Sequence, residues 1–182
     1  MATFFDALDD KLRAFIEKQH MFFTATAPEE GRINLSPKGM DTFRCLDNKT
    51  VAYLNLTGSG NETSAHLMEN GRITIMFCSY DKNPLILRLY GTGRCVHPGD
   101  VEWDDLAAQI ELTMGARQFV VVDIDSVLTS CGYAVPRYEF VEDRDTLKRW
   151  AEAKGEDGIE AYWQEHNTVS IDGKSTGHPV GR

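Results

Sequence analysis

The sequence predicts a mainly β domain with flanking helices, built as an antiparallel barrel. Three observations carry that prediction. Short runs rich in Phe, Thr, Val and Ile recur along the chain, joined by turn residues such as Pro28-Glu29-Glu30-Gly31 and Asp81-Lys82-Asn83-Pro84, and short turns make neighbours antiparallel. Two of the runs, Arg72 to Tyr80 and Leu85 to Val96, are mostly apolar on both sides, which suits a barrel wall covered by helices or by another subunit. Only three connections are long enough for a helical crossover, which argues against a doubly wound parallel sheet.

Taken in order, Thr3 with Asp6 three residues on resembles a capped helix start, and Phe5, Leu8, Leu12, Phe15 and Ile16 recur at helical spacing over residues 4 to 19. Met21 to Ala27 and Arg32 to Ser36 form a hairpin pattern around the Pro-Glu-Glu-Gly turn, and Thr50 to Leu56 is a third extended run. A short helix carrying Ala65, Leu67 and Met68 stops at Asn70-Gly71. Asp100 to Met114 reads as a helix, Phe119 to Ile124 as a buried strand, and Gly132 to Val141 as an extended run broken at Pro136. Asp143 to Lys154 and Gly158 to His166 read as helices separated by Gly155-Glu156-Asp157. The expected sum is six or seven strands in one domain over 1–182, with a helical extension at 143–166 and a loosely attached polar tail at 170–182.

Composition narrows the function. With 19 basic and 28 acidic residues the formal charge is −9, against a mainly electrostatic grip on nucleic acid or anionic lipid. There is no signal-peptide pattern and no long apolar span, so a cytoplasmic protein with neither nucleic-acid nor membrane partner is expected. Cys45, Cys78, Cys95 and Cys131 are widely spaced and have no His cluster near them, so no metal site and no redox dithiol is expected. The N-x-T sequences at Asn48, Asn55 and Asn61 have no route to glycosylation without a secretory signal.

The segment Leu54-Asn55-Leu56-Thr57-Gly58-Ser59-Gly60-Asn61-Glu62-Thr63-Ser64-Ala65-His66-Leu67 reads as strand, glycine loop and helix start. A helix N-terminus leaves backbone N–H groups unpaired and carries the positive end of the helix dipole, so an anion such as a phosphate is a natural guest. Gly58 and Gly60 permit close approach, and Thr57, Ser59, Asn61 and Thr63 add side-chain donors. An ordinary capped loop has the same composition. Strand alternation in Arg32-Ile33-Asn34-Leu35-Ser36-Pro37-Lys38-Gly39 puts Arg32, Asn34 and Ser36 on one face, with Lys38 just beyond. Such a face suits a polar ligand, or is simply solvated. Arg88, between Leu87 and Leu89, is a partner for a ligand or for a carboxylate at an interface. His66, Tyr133 and Trp150 are further candidates for ligand contact, with packing as the alternative.

Those segments, together with Phe22-Phe23-Thr24-Ala25-Thr26, Leu67-Met68-Glu69-Asn70-Gly71-Arg72-Ile73, Arg88-Leu89-Tyr90-Gly91-Thr92-Gly93 and Ser130-Cys131-Gly132-Tyr133-Ala134-Val135-Pro136, resemble the pyridoxamine 5'-phosphate oxidase-like family of flavin-binding split barrels. The resemblance implies a six-stranded split barrel that forms a homodimer, with one FMN in each of two clefts built from both subunits. It places Arg32, Ser36 and Lys38 at cofactor-contacting strand positions, Thr57 at the end of the next strand, and Asn61, Glu62 and Thr63 on the family's serine-arginine-lysine phosphate triplet. Glu62 and Thr63 thus stand where the family carries two cations. A carboxylate 4 Å from a phosphate charge is repelled by about 4 kcal/mol at an effective dielectric of 20. Glu62 is therefore expected to turn away, cap the helix, or accept from a cofactor hydroxyl, with Lys38, Arg32 or Arg88 holding the phosphate.

The substrate-contacting Arg and His that the resemblance implies near the C-terminus have no convincing equivalent in Ser170 to Arg182, which weakens the case for vitamin B6 oxidation. FAD, a deazaflavin or no cofactor are the alternatives to FMN. An oxidoreductase moving a hydride between the flavin and a small organic substrate competes with a non-catalytic flavin- or ligand-binding module. A haem-handling barrel would need an axial His, for which His66 is the candidate.

Overall fold

A computed structural model describes residues 2–179. One antiparallel sheet curls into a split half-barrel. Its strands are β1 (Thr3–Phe5), β2 (Phe22–Thr26), β3 (Asn34–Lys38), β4 (Phe43–Cys45), β5 (Thr50–Leu56), β6 (Arg72–Cys78), β7 (Ile86–Val96) and β8 (Ala116–Ser130). They run β3-β2-β6-β7-β8-β5-β4, with β1 added beside β8. The helices are α1 (Asp10–Ile16), α2 (Glu62–Asn70), α3 (Trp103–Ala107) and α4 (Thr146–His166). The strand count exceeds the expected six or seven because two three-residue strands, β1 and β4, extend the sheet.

Both faces of the central strands are buried, for a reason visible in β5. Val51 and Tyr53 point into a core with Leu12, Ile16, Ile73, Ile75, Leu87 and Val122. The alternate residues Ala52 and Leu54 meet Val96, Leu106, Ile110, Phe119 and Val121 on the other side. α1 closes the first layer and α3 the second. This is the two-sided apolarity seen in the sequence. Each fully buried Leu or Ile contributes about 1.5–3 kcal/mol by leaving water.

The N-terminal helix begins later than expected. Thr3 to Phe5 pairs with Val127 to Thr129 as a strand, and the cap is Asp9, whose carboxylate accepts from Leu12 N at 2.8 Å. The helix expected over Asp100 to Met114 is confined to Trp103–Ala107. Gly115, at φ 85°, turns the chain into β8 and its carbonyl accepts from Thr57 N at 2.8 Å. β8 is longer than the predicted Phe119 to Ile124 because β1, β5 and β7 all pair along it. Residues 132–141 form no strand. Pro136 cannot donate, and the segment holds on through Tyr138 N to Tyr80 O at 3.0 Å. α4 is broken at Gly155 (φ 68°, ψ 174°), where the sequence places the gap between two helices.

The tail expected to be loose is packed over its described part, whereas residues 180–182 lie outside the described residues. Val169 and Ser175 bridge across a tight turn at Gly173 (φ 77°). The segment is then tied down by Ser64 Oγ donating to Thr176 O at 2.6 Å, by Lys174 Nζ on Glu69 at 2.6 Å, and by the Arg32–Asp172 ion pair. Polar composition suggested a solvated end, but these polar groups meet partners on α2 and in the turn before β3. No helix among the described residues is long and apolar enough to cross a membrane.

Candidate functional site

β3, the end of β5, the N-terminus of α2 and the chain after α4 surround a cavity of about 610 Å³. Asn34, Ser36 and Lys38 come from one face of β3, as alternation requires, Gly58, Ser59 and Asn61 come from the glycine loop, and Glu62 and Thr63 from the first turn of α2. The loop places the first turn of α2 against the cavity, and Gly71 ends the helix in the left-handed conformation (φ 70°). Asn34 Nδ2 donates to Thr63 Oγ1 at 3.0 Å and to Thr26 Oγ1 at 3.2 Å, locking strand to helix. Asn61 does not cap the helix with its side chain. Its amide exchanges two hydrogen bonds with the Gln118 amide, at 3.2 and 3.1 Å.

Six candidates lie outside the cavity lining. Arg32 is exposed and paired with Asp172. Thr57 Oγ1 donates to Gly115 O at 2.8 Å and accepts from Trp163 Nε1 at 2.8 Å, so it braces the loop from behind. His66 is buried, with Nδ1 2.9 Å from Thr26 Oγ1. Arg88, on β7, donates to Ser130 Oγ at 3.3 Å. Tyr133 is exposed, and Trp150 packs edge-on against Tyr162 at 5.1 Å.

The sequence did not single out Arg117, which is 2% exposed and lines the cavity. Its position follows from register. Asn55 pairs with Gln118 but Leu56 pairs with Ala116, leaving Arg117 as the extra residue of a β-bulge. A bulge re-aims a side chain, here inward. Arg117 Nη1 donates to Gly60 O at 3.0 Å and to Asn167 Oδ1 at 2.6 Å, while its buried Nε has no partner among the described residues. The available signal was a charged residue two positions before the apolar run Phe119 to Ile124, whereas Arg88 drew attention by lying between two leucines.

Lys38 reaches the same hollow and donates to Asn55 Oδ1 at 3.4 Å. Neither Lys38 nor Arg117 has an ion pair with a carboxylate among the described residues. Burial, reinforced by the Arg117 charge, pushes the Lys38 ammonium down to about 8, and burial pushes Arg117 down to about 10. Two cations are thus held together in a partly dry hollow, which an anion would stabilise. Glu62 lines this hollow, with its carboxylate accepting from Ile171 N at 3.2 and 3.1 Å.

The family model for pyridoxamine 5'-phosphate oxidase matches residues 8–131, more than half of the chain. The chain belongs to that family. A curated member, the pyridoxamine 5'-phosphate oxidase family protein ustO of Aspergillus flavus, is 37% identical over 193 residues, covering 95% of this chain and 77% of that protein. Among solved structures, HupZ of Group A Streptococcus superposes with a TM-score of 0.54 at 21% identity, over 66% of this chain and 91% of HupZ. An FMN-binding protein of Syntrophomonas wolfei gives 0.50 at 17% identity, over 64% and 82% of the two chains. At these identities the family likeness is one of fold. Residues 165–171, which complete the cavity wall, lie beyond the span that the family model matches.

Proposed function

We propose that the protein is a flavoprotein that binds FMN in this cavity and, as a homodimer, transfers a hydride between the flavin and a small organic substrate. The observation that carries this is the pair Lys38 and Arg117, two cations without carboxylate partners, facing the first turn of α2 in one hollow.

The residues fit a cofactor with a phosphate tail. Free N–H groups at the start of α2, the Ser59 and Thr63 hydroxyls, the Lys38 ammonium and the Arg117 guanidinium form a donor set of the kind that holds a dianion. The unpartnered Nε of Arg117 is a buried donor awaiting an acceptor. Arg117 replaces, from the opposite strand, cations missing at Glu62 and Thr63. Asn34 and Ser36 offer an amide and a hydroxyl along the strand to the polar parts of the cofactor. The C-terminal segment, fastened through Glu62, Asp172 and Asn167, keeps water from one side.

When bound, a flavin supplies the redox chemistry itself, taking or giving a hydride at its ring system, while the protein positions it. The family membership and an FMN-binding protein of similar fold support a flavin, and FMN is the form we propose. The homodimer is supported by β3, a sheet-edge strand whose outward Leu35 is 66% exposed and is preceded by Ile33 at 78%. A second reading, a flavin-binding module without turnover, is favoured by the packed segment 165–171, which walls the cavity and narrows a substrate's approach.

The deciding experiment is purification followed by absorbance near 450 nm and anaerobic addition of a reduced nicotinamide donor, since a competent bound flavin bleaches on reduction. Colour that bleaches supports the oxidoreductase. Colour that no donor bleaches supports the module, and no uptake of FMN by the apo protein defeats both.

A further inference from the structure

A second and larger hollow, of about 910 Å³, opens on the other side of Lys38, which borders both. Its inner wall is the end of β3 with Met21, Met40 and Tyr80, and its outer wall is Tyr138, Phe140 and Trp150. The outer wall comes from the segment after β8 and the start of α4, beyond residue 131 where the family match ends. The rings are already set as plates: Phe140 stacks on His20 at 3.7 Å and 6°, and Tyr138 lies 5.6 Å from Tyr80. Met40 and Asp41 follow β3 with φ of 62° and 52°, left-handed values that a methionine adopts only when its surroundings hold it there. Thr42 Oγ1 donates to Gly39 O at 2.8 Å and pins that turn.

The rim carries both signs of charge, with four carboxylates against three cations. Glu139, Glu142 and Asp143 border the hollow, and none has a side-chain hydrogen bond or ion pair among the described residues. Asp81 adds a fourth carboxylate, against Lys18 and Arg144 on the same rim. Lys38 faces the neighbouring phosphate hollow as well.

We infer that this hollow takes a planar aromatic molecule bearing an amine and no phosphate, which is the class of substrate the flavin serves. Ring faces and methionines supply the apolar seat, and the rim carboxylates favour a cation and repel a dianion. The role as substrate rests on the flavin reading, whereas binding to the hollow does not.

The test uses three probes with one ring and different charge: tryptamine, indole and indole-3-acetate, titrated calorimetrically into the full chain with and without FMN. Tryptamine is expected to bind at least about tenfold tighter than indole-3-acetate. Phe140→Ala, an exposed loop change, should weaken tryptamine about fivefold or more and leave FMN affinity unchanged. The combined change Glu139→Gln, Glu142→Gln and Asp143→Asn should bring the tryptamine to indole-3-acetate ratio to one or below, because Lys18, Lys38 and Arg144 remain on the lining. Equal affinity for the three probes, or tryptamine binding that Phe140→Ala leaves intact, overturns the inference. So does competition between FMN and tryptamine, because the hollow would then seat the flavin ring. Tryptamine binding by a chain that takes up no flavin upholds the hollow and defeats the flavin reading, and flavin uptake without tryptamine binding does the reverse.

Discussion

Arg117 and Asn167 lie 50 residues apart, yet the Arg117 guanidinium donates to the Asn167 side-chain oxygen at 2.6 Å. The same Asn167 uses its nitrogen to donate to Gly58 O at 3.1 Å. One asparagine therefore joins the bulge in β8, the glycine loop and the chain after α4. The cavity has its shape because three distant segments meet at this amide.

Replacing Asn167 by Leu removes both bonds and leaves buried Arg117 with Gly60 O as its remaining acceptor. The expected loss is about 1–3 kcal/mol of stability, the usual cost of orphaning a buried partner. Urea denaturation measures it. A second readout is faster proteolysis after α4, because the C-terminal segment loses its anchor.

Lys38→Ala and Arg117→Ala each remove a charge-assisted contact to the proposed phosphate. Each is expected to cost about 1.5–3 kcal/mol of FMN binding, or roughly ten- to a hundredfold in Kd. Glu62→Ala should cost much less, since its carboxylate already accepts from Ile171 N. Arg88→Ala, which the structure sets outside the cavity lining, should change affinity little. Titration of each apo variant with FMN checks the order, and equal affinities across the set would refute this placement of the phosphate.

FMN affinity should fall as pH rises through about 8. The Lys38 ammonium, lowered to about 8 by burial and by the nearby Arg117 charge, loses its proton there, whereas an ordinary lysine holds it to 10.5. Binding of a dianion favours the protonated form, so affinity is highest below that pH. Titrations at pH 7 and pH 9.5 should differ in the wild type and agree in Lys38→Met.

His178 supplies a pH dependence of stability. Burial first, then the charges of Arg117 and His97, hold its imidazole down to about 4, and neither ring nitrogen has a hydrogen-bond partner among the described residues. Between about 4 and 6.5 the unfolded chain binds more protons at this residue than the folded one, so stability falls as pH drops through that window. The ring packs edge-on to Trp163 at 5.0 Å, and Trp163 holds Thr57 behind the glycine loop. His178→Phe should flatten the acid limb of a melting-temperature profile between pH 7 and pH 4.5.

Gly91→Ala should unfold the barrel locally. A Cβ at that position would meet Asp123 O at 2.2 Å, beside the register shift between Tyr90 and Gly91. Backbone cannot swing aside as a side-chain tip can, so a loss of several kcal/mol is expected, on the order of an overpacked core. Poor soluble yield, or a large fall in denaturation midpoint, checks it.

Local residue patterns specify an element wherever near neighbours in the chain carry the information. The bounds of β5 follow from seven residues of apolar and β-favouring character, the end of α2 from Asn70-Gly71, and the break in α4 from Gly155. The alternation in β3 likewise determined that Asn34, Ser36 and Lys38 share the cavity. Tertiary structure alone decided which strand supplies the second cation, because a one-residue bulge against β5 turns Arg117 inward and nothing within β8 records its partner's register. It also decided that Thr3 to Phe5 forms a strand, that Arg88 stays outside the cavity, and that residues 166–178 pack down. Each of these depends on contacts between residues far apart in the chain, and side-chain periodicity is blind to those until the strands have paired.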